Sequence, residues 1–431
     1  MLPKSILLLI ATALLKATTV LAFSASSNSN VAVYWGQNSG GSQTRLADYC
    51  ASDAVDIVIL SFLYSFPQDL QLNFANACGG SYTPDGVLQC DVIAEDIKTC
   101  QNAGKKILLS LGGATGAYSF TSDDQAVTFA STLWNLFGNG NASIEDRPLN
   151  DAILDGFDFD IENNNQIGYA ALANALRTKF ESDSSKTYYL SAAPQCPYPD
   201  ASVGDLLINS EIDFAFIQFY NNYCALGPNF NWDTWVNYAE NDSPNKNIKL
   251  YVGLPGAPRA AGSGYVDEAT VKSYLTEDVL TNPHFGGISL WDASAAWGNS
   301  DAAGVNYAQQ MKDIVAGAQV IDTTTSLTTS TSTTSTSTTS TSTTSTSTTS
   351  TSSTSTSSTS TTLTTSTTST TSTTSTSSST STTSSTSSTS TGTTTSTTSS
   401  SLNGSYQTGG WVAQDGQYDN SKFDDGQYHG N

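Results

Sequence analysis

Histidine is almost absent from this chain, in which His284 and His429 are the only two among 431 residues. The six cysteines include no pair at the C-x-x-C spacing that is typical of structural zinc sites. Because histidine and cysteine are the main zinc ligands in proteins, both features argue against a zinc centre.

Basic residues are also scarce. The 16 lysines and arginines are outnumbered by 38 aspartates and glutamates, which gives a formal net charge of −22. Nucleic acids and anionic membranes bind mainly to basic surfaces. The charge balance therefore predicts no nucleic-acid partner and favours a neutral or cationic partner in an acidic extracellular medium.

Long apolar runs are missing beyond residue 22. Residues 1–22 carry Lys4 near their start, an apolar run over 6–15 and small residues at their end, as a secretory signal does. The run is shorter than the roughly 20 residues that a membrane-spanning helix needs. We predict a cleaved signal over 1–22 and no membrane span.

The six cysteines lie between residues 50 and 224. An even number in a secreted chain favours three disulfides over metal ligation. Six cysteines allow fifteen connectivities, and their spacing does not choose among them.

A Ser/Thr tract occupies residues 323–401 and is interrupted only by Leu327, Leu363 and Gly392. Such a composition buries no core, so we predict a stalk over 321–401 that carries O-linked glycans, with a plain flexible tether as the alternative.

Residues 402–431 contain the motif Asp-Gly-Gln-Tyr twice, and their aromatic residues are able to stack on sugars. Because this tail is short and lacks cysteine, we predict that it is disordered.

Residues 23–320 have the composition of a folded domain. Eight strand-like apolar runs cover 31–35, 57–62, 106–111, 156–162, 188–193, 214–220, 249–254 and 287–291, and helical patterns cover 92–103, 125–137, 167–180, 268–280 and 305–315. Strands that alternate with helices indicate parallel pairing, and eight such units in this length predict a (β/α)8 TIM barrel. A doubly wound open sheet is the alternative, but residues 111–113 lack the G-x-G-x-x-G spacing of its phosphate loop.

Four acids lie at or directly before the fourth strand pattern, at Asp155, Asp158, Asp160 and Glu162. The last three alternate with apolar residues, so on a strand their carboxyls share one face about 7 Å apart. Two such charges repel by about 2.5 kcal/mol at an effective dielectric of about 20. This repulsion predicts that at least one acid stays protonated near neutral pH, as proton donation to a leaving group requires. A cation site and a solvent-facing polar strand are alternatives, although the apolar opposite face suits a buried sheet.

In a barrel of this kind, the chemistry collects at the carboxyl ends of the strands. Those ends are rich in aromatic and amide side chains, namely Tyr34, Trp35, Gln37, Gln195, Gln218, Tyr220, Asn221 and Trp291. Aromatic rings stack on the apolar faces of sugars and amides bond to their hydroxyls, so the set predicts a site for a neutral polysaccharide.

The acidic strand resembles that of a known family. Residues 155–162 match the D-x-x-D-x-D-x-E signature of the family-18 glycoside hydrolases, the chitinases. Residues 31–38, 109–113, 192–197, 218–222 and 261–265 resemble the plant and fungal class III members of that family. The resemblance runs through most of residues 30–315 and implies a barrel hydrolase that cuts chitin, the polymer of β-1,4-linked N-acetylglucosamine.

The resemblance also implies substrate-assisted retaining catalysis, in which no enzyme carboxylate acts as the nucleophile. Glu162 would protonate the glycosidic oxygen while the substrate's own 2-acetamido oxygen attacks. Asp160 would orient that acetamido group, Asp158 would share a proton with Asp160, and Tyr220 would hold the acetamido carbonyl.

The same resemblance implies a groove and a set of disulfides. Trp291 would form the floor at the cleavage point, and the groove would be lined by Tyr34, Gln37, Gly113, Gln218 and Asn221. The implied disulfides are Cys50–Cys100, Cys78–Cys90 and Cys196–Cys224. Asp155, at the start of the strand, is interpreted as structural, and no metal or organic cofactor is implied.

Between Leu254 and Gly287 there is no room for the small extra domain that walls the groove of many exo-acting members, so we predict an open groove and endo cleavage. With its signal and stalk, the chain is similar to fungal wall chitinases. This similarity implies a monomer, secreted and extracellular or associated with the cell wall, that acts on chitin in fungal cell-wall polysaccharide. A lectin of the same fold, an endo-β-N-acetylglucosaminidase that cuts N-glycans and a structural wall glycoprotein are the alternatives.

Overall fold

The computed structural model describes residues 23–317. The predicted signal over 1–22, stalk over 321–401 and tail over 402–431 all lie outside these residues. Within them, no helix is long and apolar enough to cross a membrane.

The strands of the described part are β1 (Asn30–Trp35), β2 (Ile57–Phe66), β3 (Gln71–Leu72), β4 (Lys106–Gly112), β5 (Ala117–Tyr118), β6 (Gly156–Asp160), β7 (Tyr189–Ala192), β8 (Phe214–Gln218), β9 (Lys249–Pro255) and β10 (Phe285–Trp291). The α-helices are α1 (Leu46–Cys50), α2 (Asp91–Asn102), α3 (Asp123–Phe137), α4 (Tyr169–Glu181), α5 (Gly204–Asn209), α6 (Trp232–Asn237), α7 (Glu268–Tyr274), α8 (Glu277–Leu280) and α9 (Ala293–Gly298). Residues 307–317 are also helical. Short 3-10 helices cover Ala75–Ala77, Ile144–Asp146 and Pro258–Ala260, and a π-helix covers Tyr238–Asp242.

Eight of these strands close into a parallel barrel. Their order around it is β1, β2, β4, β6, β7, β8, β9 and β10, and β10 pairs with β1 to complete the ring. The two short strands β3 and β5 both pair with the last residues of β2 and extend it beyond the barrel. The predicted (β/α)8 barrel is confirmed, and the candidate site lies at the carboxyl-terminal ends of its strands.

Side chains alternate in direction along each strand, so the barrel has one core outside its wall and another inside it. On β6, Phe157 stacks on Phe180 of α4 and Phe159 meets Tyr169 of the same helix, so both belong to the large core outside the barrel. Side chains of the other parity face the barrel interior, where Asp158 is fully buried. Period-two patterning therefore places the acids inside the barrel and the aromatic residues under the helices.

The helices and strand ends differ from the predictions in detail. The pattern over 268–280 predicts one helix, but the structure has α7 and α8, because Leu275 and Thr276 leave the helical conformation. The patterns also miss α1, α5, α6 and α9, which have only five or six residues each and are too short to show periodicity. Strands β6 and β8 end at Asp160 and Gln218, two residues before their predicted ends.

Three disulfides join Cys50 to Cys100, Cys78 to Cys90 and Cys196 to Cys224. These are the pairs that the family resemblance implies. The third disulfide links the loop after β7 to the loop after β8, and both of these loops carry residues of the candidate site.

Three aspartates at the amino-terminal ends of strands repeat one contact. Each accepts a backbone N–H from the neighbouring strand: Asp56 from Val31 at 2.7 Å, Asp155 from Ile107 at 2.9 Å and Asp213 from Leu190 at 2.8 Å. Each also pairs with a cation, respectively Lys312, Lys186 and Arg177. Asp155 therefore ties strands together at the face opposite the site, which fits the structural role expected for it.

Candidate active site

Asp158 lies in the barrel interior and is surrounded by hydroxyl groups. Ser110 on β4 and Ser191 on β7 occupy the paired positions on either side of it. The Ser110 hydroxyl donates to Oδ2 at 2.7 Å, the Ser191 hydroxyl donates to Oδ1 at 2.6 Å, and Tyr34 donates to Oδ2 at 3.2 Å. All three donors favour the ionised carboxylate.

Asp160 is the last residue of β6 and lies one step nearer the groove than Asp158. Its Oδ1 accepts a hydrogen bond from Nε2 of Gln218 at 3.2 Å, and that nitrogen also donates to the carbonyl of Ala193 at 3.0 Å. Its backbone carbonyl accepts the N–H of Gly113 at 2.7 Å. The residue is thus fixed by the end of β4 and by the end of β8.

Glu162 follows the end of β6 and is held by its backbone. Its N–H donates to the Tyr118 hydroxyl at 3.0 Å, and that hydroxyl donates in turn to the carbonyl of Gly113 at 2.7 Å. Its carboxyl interacts with the carboxyl of Asp160 and with the side chain of Gln195, and both interactions lower its pKa. The interaction with Glu162 raises the pKa of Asp160 in turn, so ionisation of one carboxyl favours protonation of the other.

Burial controls the protonation of these acids. It is the largest cause of a pKa raised to about 6 at Asp158 and to about 7 at Glu162, and it raises the pKa of Asp160 well above its usual value. Repulsion from Glu162 and Asp158 also raises the pKa of Asp160, but by less than burial does. The pKa values are shifted in the predicted direction, but loss of water around each carboxyl outweighs the predicted repulsion.

The carboxyl ends of the strands open into a groove with a volume of about 520 Å³. Eight of the ten predicted catalytic and groove residues line it: Gln37, Gly113, Asp160, Glu162, Gln218, Tyr220, Asn221 and Trp291. The other two, Asp158 and Tyr34, are buried below its floor. Tyr34 therefore does not line the groove as expected but borders a small cavity of about 10 Å³ beneath it.

Two glycines permit close approaches at the groove. Gly113 has a φ of +89°, and a Cβ there would lie 2.9 Å from the ring of Phe62. Gly264 has a φ of +91°, and its Cβ would lie 2.7 Å from Cα of Tyr220. A side chain at Gly113 or Gly264 would displace a residue of the groove.

Aromatic rings form one side of the groove. Trp291 stacks on Phe62 with ring centroids 5.8 Å apart and lies 5.8 Å from the ring of Tyr34. Its indole is partly exposed at the end of β10, where a sugar ring is able to stack on it. Gln37 faces the same groove, and its amide nitrogen donates to the carbonyls of Ser61 and Asn73.

Several groove residues were not predicted, namely Ser39, Phe62, Tyr64, Asn73, Arg259, Ala260 and residues 114–117. Phe62 and Tyr64 lie on β2, whose last residues pair with β3 and β5 and so form a wall. The predicted strand ends at residue 62, although Leu63, Tyr64 and Phe66 continue the apolar run, and only the length of β2 to Phe66 indicates that its end rises beside the groove. Arg259 belongs to the 3-10 helix Pro258–Ala260, which is too short to leave a periodic signal in the sequence.

The arrangement combines a partly exposed acid of raised pKa with aromatic rings on one side of the groove and mostly polar residues around it. Such a site is able to donate a proton to a bound neutral ligand, because the pKa of Glu162 is about 7. The Tyr220 hydroxyl stays neutral, since burial raises its pKa well above the usual value, and it remains a hydrogen-bond donor.

Comparison with known proteins agrees with this geometry. Residues 30–423 match the family model for glycosyl hydrolases family 18. Over 307 residues the chain is 66% identical to Chitinase 3 of Candida albicans, an alignment that covers 71% of this chain and 54% of the relative. Over 304 residues it is 58% identical to the Endochitinase of Saccharomyces cerevisiae, with coverage of 70% and 53%. The chain therefore spans about half the length of these curated relatives.

A solved structure extends the similarity to the fold. The ICChI chitinase from Ipomoea carnea is 32% identical, with a TM-score of 0.56, and the match covers 66% of this chain and 99% of that one. On the extent of the family match and the identity to these relatives, this chain belongs to family 18 of the glycosyl hydrolases.

Proposed function

We propose that this chain is an endochitinase that hydrolyses β-1,4 bonds between N-acetylglucosamine units by substrate-assisted retaining catalysis. The observation that carries the proposal is the position of Asp160 and Glu162, which line the groove beside Tyr220 and Trp291. Burial raises the pKa of both carboxyls, to about 7 at Glu162. A carboxyl that holds its proton near neutral pH is the group that protonation of a glycosidic oxygen requires.

In the proposed first step, Glu162 gives its proton to the glycosidic oxygen as the bond from that oxygen to C1 breaks. The carbonyl oxygen of the 2-acetamido group on the same sugar attacks C1 and forms a cyclic oxazolinium ion. In the second step, Glu162 takes a proton from water as that water attacks C1 and reopens the ring. Two displacements at C1 return the original configuration, so the product is the β-anomer.

Asp160 and Tyr220 are proposed to hold the acetamido group. Asp160 would accept its N–H and stabilise the positive charge that develops on the nitrogen, while the Tyr220 hydroxyl would donate to its carbonyl. Asp158 would exchange a proton with Asp160, and its three hydroxyl donors support an ionised state. Trp291 would stack under the sugar at the cleavage point.

The direct test replaces Glu162 with glutamine and measures hydrolysis of a chitin tetramer and binding of the same oligomer. We expect hydrolysis to fall by at least about a thousandfold while binding changes little, because glutamine keeps the size of the side chain but gives no proton. Glu145→Gln, at an exposed glutamate of a 3-10 helix, is the matched control and should leave both unchanged. Substantial hydrolysis by Glu162→Gln would overturn the assignment, and binding without hydrolysis by the wild type would indicate a lectin.

Product stereochemistry tests the nucleophile. Early products should be β-anomers when followed by NMR during the first turnovers. An initial burst of α-anomer would rule out participation of the acetamido group. Release of glycan from a glycoprotein, with no cleavage of chitin oligomers, would instead favour an endo-β-N-acetylglucosaminidase.

We also propose an open groove, endo cleavage and a secreted or wall-associated monomer. Residues 256–284 contain only the 3-10 helix Pro258–Ala260 and the helices α7 and α8, with no inserted sheet domain, which supports endo cleavage. The signal over 1–22 and the stalk are the basis for the proposed location. Removal of residues 323–431 should leave hydrolysis of soluble oligomers intact and weaken action on insoluble chitin, whereas loss of soluble activity would show that the stalk is needed for catalysis.

A further inference from the structure

We propose that Gln195 and Asn222 are positioning residues that orient the carboxyl of Glu162 through a fixed chain of amide hydrogen bonds. The chain starts at the backbone carbonyl of Tyr220, passes through the two amides and ends at Glu162. The inference rests on the proposed role of Glu162 as the proton donor, and it adds a reason why that carboxyl keeps one orientation.

The first contact fixes the orientation of the Asn222 amide. Its Nδ2 lies 3.2 Å from the backbone carbonyl oxygen of Tyr220. A carbonyl oxygen only accepts hydrogen bonds, so the atom that faces it must be the amide nitrogen and not the amide oxygen.

The second contact passes this orientation to Gln195. The same Nδ2 of Asn222 lies 2.9 Å from Oε1 of Gln195. Because Nδ2 is a donor, the atom of Gln195 that it meets must be the oxygen. The amide nitrogen of Gln195 is then the end left to face Glu162, and this side chain lowers the pKa of Glu162, as a donor would.

The backbone around the two amides is also fixed. The N–H of Gln195 donates to Oδ2 of Asp200 at 2.9 Å, and the buried Asp200 accepts two further backbone N–H groups through Oδ1. The residue after Gln195 is Cys196, whose disulfide to Cys224 joins its loop to the loop of Asn222. The disulfide therefore connects the two loops whose amides meet.

Glu162 faces ionisable groups from each of the surrounding elements. Asp160 approaches from β6, Asp200 from the loop after β7, Tyr220 from the loop after β8 and Tyr118 from β5. Burial raises the pKa of Glu162 and Asp200 raises it further, whereas Asp160 and Gln195 lower it. Since an N–H donor stabilises the ionised form, removal of Gln195 should raise the pKa of Glu162 further.

The test compares Gln195→Met, which keeps the length of the side chain but removes the donor, with Asn222→Ala, which leaves Gln195 free to turn over. The pKa of Glu162 is read from its carboxyl carbon by NMR titration and from the basic limb of kcat/KM against pH for a chitin tetramer. We expect Gln195→Met to move both to higher pH by about half to one unit and to lower kcat by up to about tenfold. Asn222→Ala should give a smaller shift in the same direction.

A variant that combines Gln195→Met with Asn222→Ala tests whether the two residues act in series or independently on the pKa of Glu162. If Asn222 acts through Gln195, then Asn222→Ala should add no shift once Gln195 is methionine. Asn163→Ala is the matched control, because its amide donates to the backbone carbonyl of Tyr118 at 2.8 Å beside Glu162 without taking part in the chain. The pKa of Glu162 should not move in this variant.

An unchanged or lower pKa of Glu162 in Gln195→Met would overturn the proposal, as would full additivity in the double variant. If Gln195→Met does not fold, Asn222→Ala tests the same donor independently, and the absence of a shift there has the same consequence. The NMR titration needs no substrate. A wild-type chain that cleaves no chitin oligomer would therefore refute the proposed function while the titration still decides the role of Gln195.

Discussion

Ser191 and Asp158 occupy directly paired positions on neighbouring strands of the barrel, and the Ser191 hydroxyl lies 2.6 Å from Oδ1 of Asp158. Ser110 makes the equivalent contact from the other side. The register of three strands thus builds a row of hydroxyl, carboxyl and hydroxyl across the barrel interior. These hydroxyls oppose the effect of burial on the pKa of Asp158, which is raised to about 6.

Removal of one hydroxyl from this row should disturb the charge state of Asp158. A donor that stabilises the carboxylate lowers its pKa, so Ser191→Ala should raise the pKa above about 6 and move the acidic limb of kcat/KM against pH upward by about half a unit. Ser61→Ala is the matched control, because this buried hydroxyl donates to the carbonyl of Ile59 and not to an acid. An acidic limb that stays in place in Ser191→Ala would contradict the role of the hydroxyl row.

The wild-type pH profile follows from the two raised pKa values. As the pH falls through about 6, Asp158 gains a proton and loses its ionised form, and as the pH rises through about 7, Glu162 loses the proton that it must donate. The value of kcat/KM should therefore form a narrow bell with its maximum between these two values. Measurement from pH 3 to 9 with a chitin tetramer checks this, and a rate that still rises above pH 8 would contradict it.

We expect a side chain at Gly264 to lower activity, because this glycine lies directly against Tyr220. Gly264→Ala would place a Cβ 2.7 Å from Cα of Tyr220. The displaced tyrosine should lower kcat by roughly ten- to a hundredfold, since small misplacement of a reacting group has effects of this size. Gly304→Ala has a similar φ of +82° but meets nothing within 4 Å, so it carries the same backbone strain without the collision.

Both glycine variants should lower the midpoint of thermal unfolding, because each forces alanine into a left-handed conformation at a cost of about 1 kcal/mol, and Gly264→Ala should lower it more because of the added collision. Only Gly264→Ala should lose activity. An equal loss of kcat in Gly304→Ala would mean that strain, and not the position of Tyr220, explains the effect.

Asp155 should contribute to stability and not to chemistry. Asp155→Ala would leave two lysines without their partner and two N–H donors without an acceptor, and urea unfolding should show a loss of about 3 kcal/mol. Asp151→Ala removes an exposed ion pair with Lys98 and should cost less than about 1 kcal/mol. Equal losses in the two variants would contradict the structural role of Asp155.

The order of strands and helices is readable from the sequence because the apolar residues of the barrel alternate with a regular period. The same periodicity assigns Asp158 to the interior and Phe159 to the outer core. Short helices such as α5 and α9 leave no periodic signal, and the break between α7 and α8 depends on the local conformation of Leu275 and Thr276. Local pattern therefore predicts long elements and misses short ones.

The site is partly readable in the same way. Strand-end positions identified Gln218, Tyr220 and Trp291, because parallel strands bring their carboxyl ends to one face. Tyr34 also lies near the carboxyl end of its strand, but it is buried below the floor of the groove, where its hydroxyl bonds to Asp158. The depth of a side chain below that face depends on strand stagger and on neighbouring rings, which no single segment encodes.

The sequence by itself determined the kind of barrel, the acidic strand, the presence of proton-holding acids and the family to which the chain belongs. Only the tertiary structure decided why those acids hold their protons, because burial arises when eight distant strands close around them. It also decided which amide faces Glu162, since Gln195 and Asn222 lie on different loops and meet only in the fold. Periodicity is a local property of the chain, whereas burial and amide orientation depend on neighbours that are far apart in sequence.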